Sequence, residues 1–300
     1  MARSTLIFAV IAVFLVGSIS SVVWALVSRQ PMAEAPTVNG LSVDIGLEPG
    51  KAVTNNSQQF TARSALLWDT ERQTILFEQN GFDRVPIASL TKLMTAMVAL
   101  DYGLNWDEQT TIEAHEYVQG GRLLLHPGET LTVRDLFNAS LIGSANNATL
   151  AYVRTLPVDS KEFILAMNRK AVALGLEQTH FVEVSGLDPD NISTAYEVAR
   201  MAEHAFAQYP ALRESTNATE YTFVISGSGR EHTIRNTNKL VSGQQLSVQG
   251  SKTGYLYEAA YCLVVQGSAP YDHRIAVVLG SPSEPEHFAD IKRLLERPEI

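Results

Sequence analysis

The order of hydrophobic patterns along the chain limits its fold more than any other feature. Short apolar runs typical of strands, Ser64–Asp69 and Thr74–Glu78, lie on either side of a polar turn and predict a hairpin. Residues 101–213 are mostly helical in their apolar spacing. Strands at both ends with helices between them predict one α/β (α+β) domain. We expect a mostly antiparallel sheet flanked by helices, with a mainly helical insert.

Individual elements follow from the same patterns. Further strands are predicted at residues 221–225, 248–253, 258–266 and 275–279. Helices are predicted from a cap at Thr132 or Asp135 to Leu141, over Ala148–Val153, over Lys161–Leu174 and over Ala195–Gln208. The last helix, Glu284–Leu295, presents Phe288, Ile291, Leu294 and Leu295 on one face.

An apolar segment precedes the folded part. Leu6–Val27 contains 22 residues without a charge, between Arg3 and Arg29, which is long enough to span a bilayer as a helix. We expect an uncleaved anchor in the inner membrane through residues 6–27, with a cleaved signal peptide as the alternative; either implies export to the bacterial periplasm or cell envelope. The expected organisation is residues 1–28 as anchor or signal segment, residues 29–56 as a Pro- and Gly-containing linker, and residues 57–300 as the folded domain.

Charge and cysteine content exclude several classes of protein. Residues 31–300 carry 21 bases and 32 acids, a net charge of −11, which argues against nucleic-acid binding. The single cysteine, Cys262, lies in an apolar run, so we expect a buried structural thiol. The seven scattered histidines form no metal-binding pattern, so we predict neither a metal nor another cofactor.

One apolar stretch carries a candidate nucleophile. Ala88–Leu100 has helical spacing, which places Ser89 and Lys92 three residues apart on one face. A serine needs a neighbouring base to become a nucleophile, and an early helical position favours a developing oxyanion. About one S-x-x-K is expected by chance in a chain of this length. A helix cap followed by an exposed lysine therefore remains the alternative at this point.

Two later triplets add to this pair. Ser144-Ala145-Asn146 follows Ser89 by 55 residues in a predicted break between apolar helices, and Lys252-Thr253-Gly254 follows Ser144 by 108 residues in a predicted strand. A second S-x-N triplet, Ser215-Thr216-Asn217, is expected in a polar loop and is set aside. Taken singly, Ser144 and Asn146 could cap a helix and Lys252 could be an exposed strand lysine.

The three motifs in this order resemble the serine D,D-peptidases, the low-molecular-weight penicillin-binding proteins. The phrases PIASLTKLMTAMVAL, GETLTVRDLF, FVEVSGL, STAYEVARMA and HFADIKRLL are similar to the short, single-domain D-Ala-D-Ala carboxypeptidases and endopeptidases. The resemblance implies a β-lactamase/transpeptidase-like fold for residues 57–300. It also implies peptidoglycan stem peptides as substrates and β-lactam antibiotics as inhibitors. Ala145 departs from the family, which often has glycine or an acidic residue there.

The resemblance also implies a role for each site residue. Ser89 would attack the carbonyl between two D-alanines, Lys92 would take its proton, and Ser144 would relay a proton to the leaving amine. Asn146 would orient Lys92, while Lys252 and Thr253 would bind the substrate, with Gly254 allowing close approach. The backbone N–H groups of Ser89 and Tyr255 would form the oxyanion hole. Lys92 would need a pKa lowered by burial and by the charge of Lys252.

Two alternatives share the acylation chemistry. A β-lactamase with the S-D-N motif needs an additional glutamate for deacylation, and no E-x-x-L-N pattern lies between Ser144 and Lys252. A membrane-tethered β-lactam sensor would be acylated once and stall. The residues do not distinguish removal of a terminal D-alanine from cleavage of a cross-link.

Overall fold

The computed structural model describes residues 60–246 and 248–298. Its strands are β1 (Ser64–Asp69), β2 (Thr74–Gln79), β3 (Val85–Pro86), β4 (Gln109–Thr110), β5 (Leu131–Thr132), β6 (Ile192–Ser193), β7 (Glu220–Ile225), β8 (Arg230–Arg235), β9 (Val248–Leu256), β10 (Ala260–Gly267) and β11 (Arg274–Ser281). Its helices are α1 (Thr91–Tyr102), α2 (Val133–Ile142), α3 (Asn146–Arg154), α4 (Ser160–Ala173), α5 (Ala195–Gln208), α6 (Pro210–Asn217), α7 (Lys239–Ser242) and α8 (Glu284–Leu295), with 3₁₀ turns at Ala88–Leu90 and Ala114–Glu116.

The main sheet joins strands from both ends of the described chain. Its order is β2-β1-β11-β10-β9, and each neighbouring pair is antiparallel. The predicted hairpin, the three C-terminal strands and the final helix are therefore confirmed. β9, which carries the Lys-Thr-Gly motif, lies at one edge of this sheet, where its backbone can face another part of the molecule.

The central strands are buried on both faces, which explains why they appear in the sequence as continuous apolar runs. Along β1, Leu66 and Trp68 face one hydrophobic core, whereas Ala65 and Leu67 face the other. The first core packs against the helical insert. The second is covered by α8, whose buried residues are His287, Phe288, Asp290, Ile291, Leu294 and Leu295.

Helix α1 lies at the centre of the first core. Nine of its twelve residues are buried, including Thr91, Lys92 and Thr95, so its apolar surface extends around the helix rather than along one stripe. It begins directly after the 3₁₀ turn that carries Ser89, and this turn packs against β9. The predicted helix over residues 88–100 is thus confirmed, with its first three residues wound as 3₁₀.

The break between α2 and α3 also follows the prediction. Thr132 caps α2 because its hydroxyl accepts a hydrogen bond from the Asp135 backbone N–H at 3.1 Å, and the Asp135 carboxylate in turn accepts one from the Thr132 N–H at 3.2 Å. The helix ends at Gly143. Ser144 adopts φ of +55°, a left-handed conformation uncommon outside glycine, and α3 begins two residues later.

Two elements differ from the sequence-based expectation. Ser215-Thr216-Asn217 ends helix α6 rather than lying in a polar loop, and Ser215 and Thr216 are buried. Pro210 occupies the first turn of this helix, where proline is tolerated. The strand predicted at residues 221–225 pairs with β8 in a separate hairpin. The sequence REHTIR did not indicate β8, because five of its six side chains are polar and only Ile234 is buried.

The predicted anchor and linker, residues 1–56, lie outside the described residues, so the domain boundaries stay predictions. Over residues 60–246 and 248–298, none of the helices combines the length and hydropathy needed to cross a membrane.

Candidate active site

The site is built around the Ser89–Lys92 pair. The Lys92 Nζ atom donates a hydrogen bond to the Ser89 Oγ atom at 2.8 Å. Lys92 is fully buried, because α1 runs through the core. Ala88, immediately before the serine, has φ of +48°, so the chain turns sharply where it presents the hydroxyl.

Lys92 has two further partners. Its Nζ atom donates to the Asn146 side-chain Oδ1 at 2.7 Å and to the Ser185 carbonyl at 2.5 Å. Burial lowers the pKa of Lys92 to about 7, although the negative charge of Glu183 opposes this change. A lysine with such a pKa is partly neutral near pH 7, and the neutral amine can accept a proton from a neighbouring hydroxyl.

Asn146, at the start of α3, is held in place by the loop at residues 119–121. The Asn146 backbone N–H donates to the Gly121 carbonyl at 2.7 Å, and the Asn146 side-chain Nδ2 donates to the Gln119 carbonyl at 2.8 Å. The amide group is thereby oriented with its oxygen toward Lys92. A side chain at Gly121 would approach the Ser144 carbonyl to 2.8 Å, so this glycine allows the loop to pack against the break.

Strand β9 supplies the third motif. The Lys252 Nζ atom donates to the Ser144 Oγ at 2.8 Å and to the Thr253 carbonyl at 2.9 Å. Burial and repulsion by Lys92 lower the pKa of Lys252 well below its ordinary value. This repulsion between the two lysines is mutual, and burial is the main cause of the lowered pKa of Lys92.

Gly254 brings β9 close to the turn that carries Ser89. A Cβ atom added at Gly254 would lie 3.1 Å from the Ile87 carbonyl oxygen and 3.1 Å from the Ser89 backbone nitrogen. Such contacts are tight, so glycine allows the strand to approach this closely. The next residue, Tyr255, is 56% exposed, and its ring centroid lies 4.5 Å from that of Tyr261.

The structure thus brings the sequence-predicted residues together in one cluster. One half holds Ser89, Lys92 and Asn146, the other half holds Ser144, Lys252 and Thr253, and Gly254 and Tyr255 lie along the adjoining strand edge. Within the described part of the chain, no group of three or more His, Cys, Asp or Glu side chains is arranged to hold a metal ion.

Comparison with known proteins gives the family. The sequence profile of the D-alanyl-D-alanine carboxypeptidases, peptidase family S11, matches residues 51–283. The chain belongs to this family. A D-alanyl-D-alanine endopeptidase of Pseudomonas aeruginosa is 36% identical over 248 residues, which cover 82% of this chain and 80% of the relative.

Solved structures of the same fold agree with the S11 assignment. The Streptomyces K15 DD-transpeptidase superposes with a TM-score of 0.74 at 29% identity, covering 80% of this chain and 98% of that protein. Penicillin-binding protein D2 of Listeria monocytogenes, in its ampicillin-bound form, superposes with a TM-score of 0.69 at 30% identity, covering 81% and 98%. The predicted β-lactamase/transpeptidase-like fold is therefore confirmed.

The structure adds residues that sequence analysis did not assign to the S11 site. Thr237 shares a hydrogen bond of 2.6 Å with the Thr253 hydroxyl, and no pattern around it indicated this contact. Glu183 organises the Ser185 loop. Glu183 lies two residues before Ser185 and three before Gly186. This spacing was a signal in the sequence for a carboxylate that caps the loop. Cys262, by contrast, is buried as expected, and burial raises its pKa to about 12.

Proposed function

We propose that this protein is a serine D,D-peptidase that cleaves D-alanyl bonds of peptidoglycan peptides through an acyl-enzyme on Ser89. The observation that carries the proposal is the buried amine of Lys92, 2.8 Å from the Ser89 hydroxyl, with a pKa of about 7. A serine with a partly neutral amine at this distance has the base that nucleophilic attack requires. Membership of the S11 family supplies the substrate class.

In acylation, neutral Lys92 takes the proton from Ser89 as the Oγ atom bonds to the carbonyl carbon between two D-alanine residues. The oxyanion receives hydrogen bonds from the backbone N–H groups of Ser89 and Tyr255, each worth about 3–4 kcal/mol at such sites. Collapse of the tetrahedral intermediate breaks the C–N bond. The leaving amine takes a proton from the Ser144 hydroxyl, whose oxygen accepts a hydrogen bond from Lys252. The proton that Lys92 removed from Ser89 replaces it, so Lys92 is neutral again when deacylation begins.

Lys252 and Thr253 recognise the substrate. The Lys252 ammonium is buried and its described contacts are neutral oxygens of Ser144 and Thr253. A substrate carboxylate would provide the opposite charge and favour the protonated form. Asn146 holds Lys92 in place and offers its amide to the substrate backbone. These roles also make the site reactive toward β-lactams, as in the ampicillin-bound Listeria relative.

Deacylation follows the same chemistry in reverse. Water attacks the ester on Ser89 and loses a proton to the neutral Lys92 amine, and Lys92 then gives this proton to the departing Ser89 oxygen. Release of a terminal D-alanine and cleavage of a D-alanyl cross-link differ only in the amine that leaves. A family known for carboxypeptidase activity and a relative named as an endopeptidase support both reactions for this chain.

We also assign the protein to the cell envelope, where peptidoglycan is found. The uncharged segment Leu6–Val27 supports attachment to the cytoplasmic membrane.

The test uses the full chain in detergent with purified muropeptides, and products are identified by mass. The wild type is expected to release D-alanine or split cross-linked dimers, and Ser89→Ala is expected to show neither reaction. Equal product from both proteins would remove Ser89 from the mechanism. Covalent labelling of the wild type by a fluorescent penicillin, and its loss in Ser89→Ala, provides an independent readout.

A further inference from the structure

The Glu183 carboxylate organises the loop that faces Lys92. Its Oε2 atom accepts hydrogen bonds from the Ser185 backbone N–H at 2.7 Å and the Ser185 hydroxyl at 2.6 Å. Its Oε1 atom accepts from the backbone N–H of Gly186, from that of Leu187 at 2.9 Å and from the Asn191 side chain at 2.7 Å. A single carboxylate thus orients three successive peptide groups.

These peptide groups lie directly against the nucleophile. The Ser185 carbonyl accepts a hydrogen bond from Lys92 Nζ at 2.5 Å, and the Ser89 Oγ lies 3.5 Å from the same oxygen. Gly186 has φ of +87°, and a Cβ atom there would lie 2.0 Å from the Ala88 carbonyl oxygen. The loop therefore contacts the Ala88–Leu90 turn with no space for a side chain.

Asn191 extends the same network to helix α1. Its side-chain Nδ2 donates to the Thr91 hydroxyl at 3.2 Å as well as to Glu183, and its carbonyl accepts from the Ile87 N–H at 3.0 Å. Glu183 is thus connected to the residues that flank both ends of the Ser89 turn.

We propose that Glu183 is a positioning residue for acylation: it holds the Ser185 carbonyl against the Lys92 amine and faces that amine with a negative charge. This inference rests on the proposed function, in which Lys92 takes the proton of Ser89. Glu183 does not contact the reacting atoms itself.

Two charged groups act on the Lys92 amine from different elements. Glu183, on the loop, raises the pKa of Lys92 against the lowering caused by burial. Lys252, on β9, has the same sign as Lys92, and their repulsion lowers the pKa of Lys252. If Glu183 becomes glutamine, burial acts on Lys92 without this opposing charge, so the pKa of Lys92 falls further below its ordinary value.

The experiment measures acylation of the full-length protein in detergent by a fluorescent penicillin as a function of pH. In Glu183→Gln, we expect the acid limb of the rate profile to move to lower pH than in the wild type. The rate on the plateau should fall by about 10- to 100-fold, because misplacement of a base by about 1 Å has effects of this size. Glu183→Asp keeps the charge but shortens the side chain, so it should lose rate with its acid limb nearer that of the wild type.

Glu197 provides a matched control. Glu197 is buried, whereas Glu183 is half-buried. Like Glu183, it accepts hydrogen bonds from a loop, namely from the Gln178 N–H at 2.9 and 3.0 Å and from the Thr179 hydroxyl at 2.6 Å. None of these interactions involves the Ser185 loop. The folded molecules of Glu197→Gln should show the same acid limb in their acylation rate profile as the wild type.

An unmoved acid limb in Glu183→Gln would overturn the proposal, as would equal effects of the Glu183 and Glu197 substitutions. If Glu183→Gln does not fold, Glu183→Asp decides, and a wild-type plateau rate in that variant would also overturn it. Absence of labelling in the wild type would instead contradict the proposed function.

Discussion

At the scale of single residues, the site contains two buried lysines, Lys92 and Lys252, for which we propose different roles. Lys92 contacts neutral oxygens of Ser89, Asn146 and Ser185, which suits an amine that gains and loses a proton. Lys252 contacts the neutral oxygens of Ser144 and Thr253, and we infer that a substrate carboxylate completes its environment. We therefore propose that the S-x-x-K motif supplies the base and the K-T-G motif supplies the anion-binding group of the same site.

The role of Lys252 leads to a prediction about substrate charge. For a peptide ending in D-Ala-D-Ala, Lys252→Gln should lower kcat/KM by a factor of roughly 10 to 100, as expected for loss of a hydrogen bond to a charged group worth about 1.5–3 kcal/mol. The same peptide with a C-terminal amide should be affected much less. Steady-state kinetics with the two peptides provides the measurement, and an equal loss for both would contradict carboxylate recognition by Lys252.

At the scale of elements, the active site is a contact between the edge strand β9 and the 3₁₀ turn before α1. Neither element forms the site alone, and at Gly254 their backbones are so close that a Cβ atom would make tight contacts with Ile87 and Ser89. The geometry of catalysis therefore depends on how the sheet edge packs against the helical insert.

Gly254→Val tests this contact. Its side chain would press on the Ile87 carbonyl and the Ser89 N–H, so β9 must move away, and acylation by a fluorescent penicillin should slow by about 10- to 100-fold. Gly250→Ala, in the same strand, would instead meet the Phe206 ring in the core. It should lower the free energy of unfolding by about 1–3 kcal/mol while the folded molecules acylate at the wild-type rate. Wild-type acylation by Gly254→Val together with slowed acylation by folded Gly250→Ala would show that the contact at Gly254 does not control the site.

At the scale of the whole molecule, the buried lysines lower stability in return for reactivity. Lys92 has an ordinary pKa of 10.5 and a pKa of about 7 in the folded protein. At pH values between these two pKa values, the unfolded chain binds more protons at Lys92 than the folded protein does, so the free energy of unfolding rises with pH. The destabilisation caused by burying Lys92 is greatest below about pH 7 and disappears above about pH 10.5.

Lys92→Met should therefore change how stability depends on pH. The free energy of unfolding of Lys92→Met minus that of the wild type should decrease as pH rises from 7 to 10, by up to about 1.4 kcal/mol per pH unit. Urea unfolding at several pH values measures this difference. Lys170→Met is the control. Burial lowers the pKa of Lys170, but hydrogen bonds with Asp101 and Tyr209 raise it, and the net change is upward. The free energy of unfolding of Lys170→Met minus that of the wild type should therefore stay nearly constant between about pH 7 and 10. A constant difference for Lys92→Met would contradict the lowered pKa.

Much of the fold was predictable because local patterns and tertiary packing agree in the central elements. The bounds of α5 and α8 and the start of β1 match the sequence-based expectation, since each combines strong periodicity with a clear cap or turn. Agreement was poorest where exposed polar residues form regular structure. Helix α6 and strand β8 have few buried positions, so their hydrophobic pattern was too weak to distinguish them from loops.

The sequence by itself determined the strand–helix–strand order, the three motifs and, through their resemblance to a family, the class of reaction. It could not determine which hydrogen bonds join the motifs, since Lys252 contacts Ser144 across 108 positions of the chain and Lys92 contacts the Ser185 carbonyl across 93. Nor did it reveal the part of Glu183, because the Ser185 carbonyl on its loop meets Lys92 only in the folded protein. Those contacts, and the lowered pKa of Lys92, arise from burial in the folded protein, which no local segment of the chain provides.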